Sequence, residues 1–417
     1  MTESAPTRTN TAARAVYGSI LEHVRPHRNY QLFLGGQLVS QIATWTQRVA
    51  QMWFVLSVSH SGSALGVLIA CQFAPYAIFG FFGRAICDRL DNHRTLLATQ
   101  TIMMLCAGVL TTLTFSGSLA VWEVDAIAAI QGVTMIVDTP VRQAFVIQMV
   151  GKEQLPHATA LNVSLFNIVQ TLGPALGAIA IASMGLKVGA LANTLGFVTM
   201  LAGLLLMRTN ELHRPETRAG GEVRVGTIPR NMHEELRLTW RTRQMTASMV
   251  LVFVVATLGI NFNVTLPLVA QNTLHGSPEI LGVLFACYGA GALVGALYAT
   301  TLGRASWAVF LGACEVLGAL ELLLAPQKTI AGCAVILVGI GAAFSCLTAS
   351  ASATIQFRLP EPLSTRMLSL YSYSWIGTAP LSGLLAGWLS DRGGPALVFT
   401  VGGAAIAALA AMAALGQ

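Results

Sequence analysis

Charged residues are scarce in this chain of 417 residues. Lysine, arginine, aspartate and glutamate make up 10% of the sequence, whereas hydrophobic residues make up 54%. Soluble globular domains carry about 25% charged residues. Water cannot solvate a surface with so few charges, so the composition excludes a soluble globular protein. The mean hydropathy of +0.66 agrees, and the chain is predicted to be a membrane protein.

The motifs of common enzyme classes are also missing. No GxxxxGK[ST] segment is present to bind the phosphates of ATP, and neither HExxH nor GxSxG occurs. The segment GAGALVG at 289–295 follows no predicted strand, so it is not a dinucleotide-binding loop. His60, His157 and His275 lie in predicted loops without a partner at metal-ligand spacing. We therefore predict that the protein is not an enzyme and has no catalytic residue, metal site or cofactor.

Features of secreted proteins are missing as well. The seven cysteines lie in or beside apolar runs without regular spacing, which predicts buried thiols and not a disulfide framework. The chain begins with a polar segment instead of a short basic region followed by an apolar core. We therefore predict no cleaved signal peptide, and we expect the first apolar run to direct insertion into the membrane.

Long apolar runs are what the sequence has in abundance. A membrane-spanning helix needs about 20 residues to cross about 30 Å of hydrocarbon. Twelve runs meet this requirement, so the predicted fold is all-α with twelve transmembrane helices. The predicted spans, numbered 1 to 12, are 30–57, 63–83, 95–116, 124–147, 157–182, 187–207, 245–270, 279–302, 305–325, 329–352, 366–389 and 395–416.

The positive charges are distributed unevenly between the predicted loops. Of the 24 lysines and arginines, only Lys187, Lys328 and Arg392 lie on the side of the membrane opposite to the N-terminus, and Arg48 lies within the membrane. An excess of positive charge marks cytoplasmic loops. We therefore predict a multi-pass protein of the plasma (inner) membrane with both termini in the cytoplasm. The formal charge of +6 then reflects orientation and not a nucleic-acid partner.

Two pseudo-symmetric halves of six spans each are predicted. Two pairs of similar segments lie at corresponding positions of the halves. LGVLIAC at 65–71 is similar to LGVLFAC at 281–287, and GPALG at 173–177 is similar to APLSG at 379–383. Transporters with related halves bind their substrate where the halves meet. The predicted organisation is a cytoplasmic tail (1–29), an N-terminal six-helix bundle (30–207), a cytoplasmic linker (208–244) and a C-terminal six-helix bundle (245–417).

One short segment, GRAICDRLDNHR at 83–94, concentrates charge between spans 2 and 3. It resembles the signature loop of the major facilitator superfamily. ATWTQRVAQMWFVL in span 1, IVDTPVRQAF in span 4 and ALNVSLFNIVQTLGPALG in span 5 resemble the drug:proton antiporter branch, which includes macrolide and siderophore exporters. The resemblance implies the major facilitator fold over nearly the whole chain.

The resemblance also implies a gating loop between spans 2 and 3. In it, Asp88 is expected to meet the start of span 11, because a carboxylate is favoured at the positive end of a helix. Ser364 and Thr365 are expected to cap that helix. Relatives usually carry glycine where this chain has Arg84. The residues of the predicted gating loop are Gly83, Asp88, Arg89 and Arg94.

In span 5, GPALG resembles the motif that distinguishes exporters from importers. Pro174 removes a backbone donor and bends the helix, while Gly173 and Gly177 allow a neighbouring helix to approach closely. A purely structural packing role is an equally open interpretation of these three residues.

Polar residues inside the spans are the best guide to a pathway, because a charge at the centre of the bilayer costs about 2.5–3.5 kcal/mol. The resemblance places spans 1, 4, 7 and 10 around the cavity. The predicted substrate and proton pathway consists of Gln41, Trp45, Arg48, Gln131, Asp138, Arg142, Asn261 and Asn263.

Two charges within this set have competing interpretations. Asp138 is the hypothesised protonatable group, which Arg48 approaches in one conformation, and the alternative is a permanent ion pair with Arg142 four residues later. For Arg48 the alternative is a structural ion pair or a hydrogen bond to backbone carbonyls. Many relatives carry an acid where this chain has Thr44, so a common proton site is missing. Glu321 in span 9 is predicted to be structural or to reach solvent near the membrane surface.

These features together predict a secondary active transporter that exports amphipathic small molecules by alternating access, in exchange for protons. Its predicted partners are the small-molecule substrate, protons and the lipid bilayer, with no nucleic acid, and it is expected to be a monomer. An importer or lipid transporter on the same fold, and a membrane receptor that transports nothing, are the alternatives left open.

Overall fold

The structure of the chain is a computed structural model that describes residues 27–87, 90–213, 243–259, 261–301, 307–358 and 361–415. These residues form helices joined by short turns. The α-helices, in chain order from α1 to α12, are Arg28–Ser59, Gly62–Cys87, Asn92–Ser116, Val121–Met184, Leu186–Leu205, Arg243–Val254, Phe262–Leu268, Pro278–Thr301, Trp307–Leu324, Ile330–Arg358, Glu361–Gly377 and Ala379–Leu415. The prediction of an all-α fold is confirmed.

Two of these helices are broken by glycines. The backbone of Gly151 has φ 75° and ψ 175°, which divides α4 into α4a (121–150) and α4b (152–184). Gly394 has φ 69° and divides α12 into α12a (379–392) and α12b (395–415). Residues with a Cβ rarely adopt such positive φ angles, so glycine permits the chain to change direction at both points.

The segment from 243 to 273 is not a uniform α-helix. It consists of α6, a π-helical turn at Val255–Gly259, the short helix α7 and a second π-helical turn at Val269–Thr273. Most π-helical turns interrupt α-helices as single turns and are frequent at functional sites. The single predicted span 7 therefore contains one π-helical turn and ends in a second, and the hydropathy of its sequence reveals neither.

Nine helical stretches in the described part of the chain are long and apolar enough to cross a membrane. Two of them, Val121–Gln170 and Leu370–Leu415, contain the breaks in α4 and α12. The prediction of a multi-pass helical membrane protein is confirmed. The six cysteines whose side chains the structure describes are free thiols, as predicted.

The predicted caps of span 11 are wrong. The sequence places the start of this helix at 366, with Ser364 and Thr365 before it, but α11 begins at Glu361. Ser364 and Thr365 therefore lie inside the helix and not before it. The predicted linker 208–244 lies largely outside the described residues, which resume at Arg243.

Small residues let the helices approach closely. A Cβ built on Gly291 of α8 would lie 1.9 Å from the carbonyl oxygen of Val338 in α10, and one on Gly295 would lie 2.2 Å from that of Ala342. Glycines on one helix face allow this close packing in membrane helices. Gly291 and Gly295 therefore allow the close contact between α8 and α10.

Gly291→Ala is expected to lower the free energy of unfolding by about 1–3 kcal/mol, because the added methyl group has no space against a backbone atom. Gly312→Ala in α9 is the matched control, since nothing lies within 4 Å of its Cβ position. Thermal unfolding of the two purified variants in detergent measures the difference. Equal melting temperatures for both variants and the unsubstituted protein would show that this helix contact is not tight.

Candidate functional site

A small cleft lies where α1, α2 and α7 meet. Its empty volume is about 290 Å³, including the part that is open to solvent. Since α1 and α2 precede the linker and α7 follows it, the cleft joins the first and second parts of the chain. The residues that line it are Trp45, Arg48, Gln51, Met52, Leu68, Ile69, Gln72, Phe73 and Asn263.

Arg48 is the charged residue of this cleft. Its guanidinium carbon lies 5.1 Å from the centre of the Trp45 ring and 5.9 Å from that of the Phe73 ring. Aromatic faces attract a cation at such distances. Its Nε atom is buried and has no hydrogen-bond partner among the described residues, and neither has Nε2 of Gln51. Because a guanidinium can only donate hydrogen bonds, the cleft suits a ligand that accepts them.

The GPALG segment in α4b positions Trp45. A Cβ built on Gly173 would lie 2.5 Å from Cδ1 of Trp45, and one on Gly177 would lie 2.8 Å from Cα of Thr46. Pro174 is buried between them. Any larger residue at either glycine would push α1 away from α4b. The segment thus holds the indole ring against which the Arg48 guanidinium rests.

The opposite side of α1 is fixed by hydrogen bonds to α5. Nδ2 of Asn193 donates to Oε1 of Gln47 over 2.7 Å, and the Thr44 hydroxyl donates to Oδ1 of Asn193 over 3.1 Å. Thr44, at the position where many relatives carry an acid, therefore takes part in helix packing. These contacts fix the rotation of α1 and so direct Arg48 toward α2 and α7.

Asp138 lies elsewhere, between α3 and α4a. Its Oδ1 accepts hydrogen bonds of 2.7 Å from both Thr99 and Gln100, and its Oδ2 accepts two from Arg142 at 2.9 and 3.1 Å. The i,i+4 ion pair with Arg142, one of the two interpretations of the sequence, is present. The Arg142 guanidinium also lies 5.8 Å from the centre of the Phe33 ring. Asp138 and Arg48 therefore do not pair in this conformation.

The other predicted pathway residues divide between the cleft and the helix contacts. Asn263 lines the cleft, whereas Asn261 is buried and accepts a 2.5 Å hydrogen bond from Ser382 in α12a. Gln131 is buried in α4a, and Gln41 is half-buried in α1. Neither glutamine is among the residues that line the cleft. Trp45, Arg48 and Asn263 are thus the members of the predicted pathway that the fold brings together.

The predicted gating loop is described only in part. A Cβ on Gly83 would lie 2.2 Å from the Ile136 carbonyl oxygen, so this glycine permits close contact between α2 and α4a. Asp88 and Arg89 lie outside the described residues. Arg94 is exposed in the first turn of α3, where its backbone N–H donates to the Asp91 carboxylate over 2.8 Å.

A polar contact that the sequence analysis did not find joins α12 to the start of α2. The Asp391 carboxylate accepts hydrogen bonds from the backbone N–H groups of Gly62 at 2.6 Å and Ser63 at 3.0 Å, and from the Ser61 hydroxyl at 2.9 Å. Asp391 thus caps a helix that lies about 330 residues away in sequence. Beside it, a Cβ on Gly66 would lie 2.5 Å from the Gly383 carbonyl oxygen, so α2 and α12a pack closely there.

Two intramembrane acids were also missed as candidates. Glu321 in α9 is 0% exposed, so of its two predicted interpretations the one in which it reaches solvent is wrong. Asp125 in α4a is half-buried, and its Oδ1 has no partner among the described residues. The rule that intramembrane charges mark functional sites would have selected both. Their burial could not be seen in the sequence, because both are within a few residues of a helix end.

This arrangement of helices resembles that of solved membrane proteins. It matches a POT family transporter, solved in complex with 5-aminolevulinic acid, with a TM-score of 0.68 and 11% identity over 93% of this chain and 96% of that one. Residues 27–417 match the family described as transmembrane secretion effector. The chain belongs to this family of the major facilitator superfamily, as the resemblance of its motifs implied.

Relatives of known function are distant. The staphyloferrin A transporter of Staphylococcus aureus is 23% identical over 64% of this chain and 65% of its own length. The macrolide efflux protein A of Streptococcus pyogenes matches with the same identity and the same two shares. The chain thus spans just under two thirds of these two relatives. The multidrug efflux pump Tap of Mycolicibacterium fortuitum is 23% identical over 83% of this chain and 85% of its own length.

Proposed function

We propose that this protein is a secondary active exporter that moves amphipathic small molecules out of the cell by alternating access, in exchange for protons. The observation that carries the proposal is Arg48, a cation with a buried, unpartnered donor in a cleft between the first and second parts of the chain. An unpaired intramembrane charge is retained only where it has a role. The names of two relatives, the macrolide efflux protein A and the multidrug efflux pump Tap, support export as the direction.

The substrate class follows from the chemistry of the cleft. Trp45, Phe73 and Leu68 offer apolar surface, while Arg48 and Gln51 offer hydrogen-bond donors without partners. A ligand with an apolar body and an anionic or strongly accepting group matches both. Its carboxylate or phosphate would supply the acceptor that Arg48 lacks, and guanidinium groups bind such anions in a bidentate manner.

The proposed topology has twelve spans. Composition identifies nine apolar stretches. The two longest are each divided into two spans, at Gly151 and at Gly394. With α1, a helix of 32 residues, the number of spans becomes twelve. α1 is not among the nine because its glutamines, threonines and serines lower its hydropathy. Lipid-facing backbone must be hydrogen-bonded within a helix, which α1 satisfies despite its polar side chains.

The packing of the helices supports two related halves. In the first half α2 packs on α4a, and the equivalent contact in the second half is that of α8 with α10. Likewise, α1 packs on α5, and the equivalent contact is that of the π-helical turn at Val255–Gly259 with α12b. Contacts across the halves correspond too, because α2 packs on α12a as α8 packs on α4b. We therefore propose that residues 30–207 and 245–417 form two bundles that rock against each other, with the predicted tail 1–29 and linker 208–244 in the cytoplasm.

The proposed orientation places both termini in the cytoplasm of a plasma-membrane protein. A cysteine at exposed Ser116, in a variant without native cysteines, is expected to react with an impermeant maleimide added to intact cells. A cysteine at exposed Glu153, in the first turn of α4b, is expected to react only after the cells are opened. The reverse pattern in correctly inserted protein would overturn the proposed topology. Residues 116 and 153 are suitable because both are exposed.

Vesicles with an inverted membrane test the proposed activity. Addition of the anionic amphiphile carboxyfluorescein is expected to dissipate an imposed pH gradient, acidic inside, in vesicles that contain the protein. Cationic ethidium serves as the comparison of opposite charge. Dissipation by ethidium alone would support an exporter and contradict the proposed role of Arg48, and dissipation by neither probe would count against export of amphiphiles in exchange for protons.

A further inference from the structure

Glu321 is the most deeply buried acid among the described residues. It lies in α9 with 0% exposure, and neither of its carboxylate oxygens has a hydrogen-bond partner in the described part of the chain. Transferring an isolated carboxylate from water into such surroundings costs far more than transferring the neutral acid. A buried acid of this kind therefore binds a proton in preference to remaining charged.

The carboxyl group lies between the first π-helical turn and α12b. A Cβ built on Gly402 would lie 2.9 Å from Oε2 of Glu321 and 2.6 Å from the carbonyl oxygen of Leu258. A Cβ on Gly259 would lie 3.4 Å from Oε1. Glycine at these two positions leaves the space that the carboxyl group occupies. The acid is thus built into the contact between the π-helical turn and α12b.

No cation donates a hydrogen bond to Glu321 in the described part of the chain. Residues 246–273 and 395–415 contain no titratable side chain at all. On α8, Tyr288 is the titratable residue nearest to the Glu321 carboxyl group. The remaining titratable residues on α9 and α10 are Cys314, Glu315, Cys333, Cys346 and Arg358, of which Arg358 ends α10 at the far end from Cys333.

We infer that Glu321 is a proton-binding site of the exporter, loaded while the π-helical turn packs against α12b and unloaded when that contact opens to water. This inference rests on the proposed function, since it assigns the exchanged proton to a residue. On loading, one proton from water adds to a carboxylate oxygen and cancels its charge. On unloading, the proton returns to water and the carboxylate becomes hydrated. No other bond forms or breaks.

The π-helical turn gives this site a means of acting on the rest of the protein. Val255–Gly259 leads through Asn261 into α7, and α7 carries Asn263 in the wall of the Arg48 cleft. Single π-helical turns within α-helices are frequent at functional sites. A change in packing at Glu321 thus has a direct route along the backbone to the cleft.

Hydrogen–deuterium exchange of the purified protein tests the inference without any transported substrate. After correction for intrinsic exchange, residues 246–273 are expected to exchange faster as the pH rises. Glu321→Gln, which keeps the neutral shape of the protonated acid, is expected to remove this pH dependence. Glu315→Gln, half-buried six residues earlier on the same helix, is the matched control and is expected to behave as the unsubstituted protein does.

Transport in proteoliposomes separates this inference from the proposed function. Glu321→Gln is expected to lose accumulation driven by a pH gradient while it retains exchange of labelled for unlabelled carboxyfluorescein. Full gradient-driven accumulation in this variant, or pH-dependent exchange of 246–273 identical to the unsubstituted protein, would overturn the inference.

If the unsubstituted protein transports nothing, the proposed function fails, and hydrogen–deuterium exchange alone decides whether Glu321 binds the proton. If Glu321→Gln does not fold, Glu321→Asp is expected to retain a pH dependence, and its absence would contradict the inference.

Discussion

Arg48→Gln is expected to reduce the initial rate of export of an anionic amphiphile by about 10- to 150-fold at low substrate concentration. A hydrogen bond to a charged group contributes about 1.5–3 kcal/mol, and each 1.4 kcal/mol is a factor of ten. Glutamine retains a donor but loses the charge and the planar group that rests against Trp45 and Phe73. Uptake of carboxyfluorescein into inverted vesicles, with equal amounts of folded protein, measures the effect.

Two variants control for this result. Arg48→Lys keeps the charge but loses the bidentate geometry, so an intermediate rate is expected. Lys187→Gln removes an exposed cation that lies 5.4 Å from the Phe115 ring centre, far along the chain from the cleft, and is expected to leave export unchanged. Export by Arg48→Gln at the unsubstituted rate would show that the substrate does not bind at this residue.

Asp391→Asn is expected to shift the protein toward a conformation in which the cleft is open at the end of the bundle where α1 and α2 meet. The substitution removes the negative charge from the start of α2 and weakens three hydrogen bonds that join α2 to α12. Loss of a helix cap costs about 0.5–2 kcal/mol. The population of the open conformation is therefore expected to rise by about 2- to 30-fold.

The rate at which an impermeant maleimide labels Gln72→Cys in intact cells measures this shift, because Gln72 lines the cleft. Labelling is expected to be faster when Asp391→Asn is also present. Glu123→Gln is the matched control, since Glu123 also caps a helix start but accepts from Ala120 of its own turn and joins no separate helices. Faster labelling with Glu123→Gln, or no change with Asp391→Asn, would contradict a gate at Asp391.

The sequence predicted the class of fold well because membrane solvation leaves a strong signal. The required apolar length depends on the thickness of the hydrocarbon, which every span meets in the same way. Apolar length gave the wrong start for α11, because the first turn of this helix, at Glu361, is polar and precedes its apolar part. It also gave no sign of the π-helical turn at Val255–Gly259, since hydropathy is nearly the same for either helix type.

The site could be predicted where local sequence controls it. Trp45 and Arg48 share one helix, and glycine spacing in GPALG indicated the close contact that holds Trp45. The ion pair of Asp138 with Arg142 was likewise one of the two interpretations that i,i+4 spacing offered. Contacts between distant parts of the chain left no such signal. Asp391 meets Ser61 about 330 residues away, and only the fold selects that acid from the others.

The burial of Glu321 is a second feature that depends on contacts between distant parts of the chain. Its place near the end of α9 suggested that its side chain reaches solvent, and hydropathy reports position along a helix but not which neighbours lie beside it. The glycines that enclose it, Gly259 and Gly402, belong to two other helices. The spacing of these glycines in the sequence does not predict that they contact Glu321.

Accumulation of carboxyfluorescein in proteoliposomes tests the central claim most directly. Liposomes that contain the purified protein, acidic inside, are prepared in parallel with liposomes that contain Arg48→Gln and with protein-free liposomes. The claim predicts concentrative uptake by the unsubstituted protein, a much lower initial rate with Arg48→Gln, no uptake without protein, and loss of uptake when a protonophore removes the pH gradient. Equal uptake in all three preparations, or binding that is never followed by entry into the lumen, would contradict export through the Arg48 cleft.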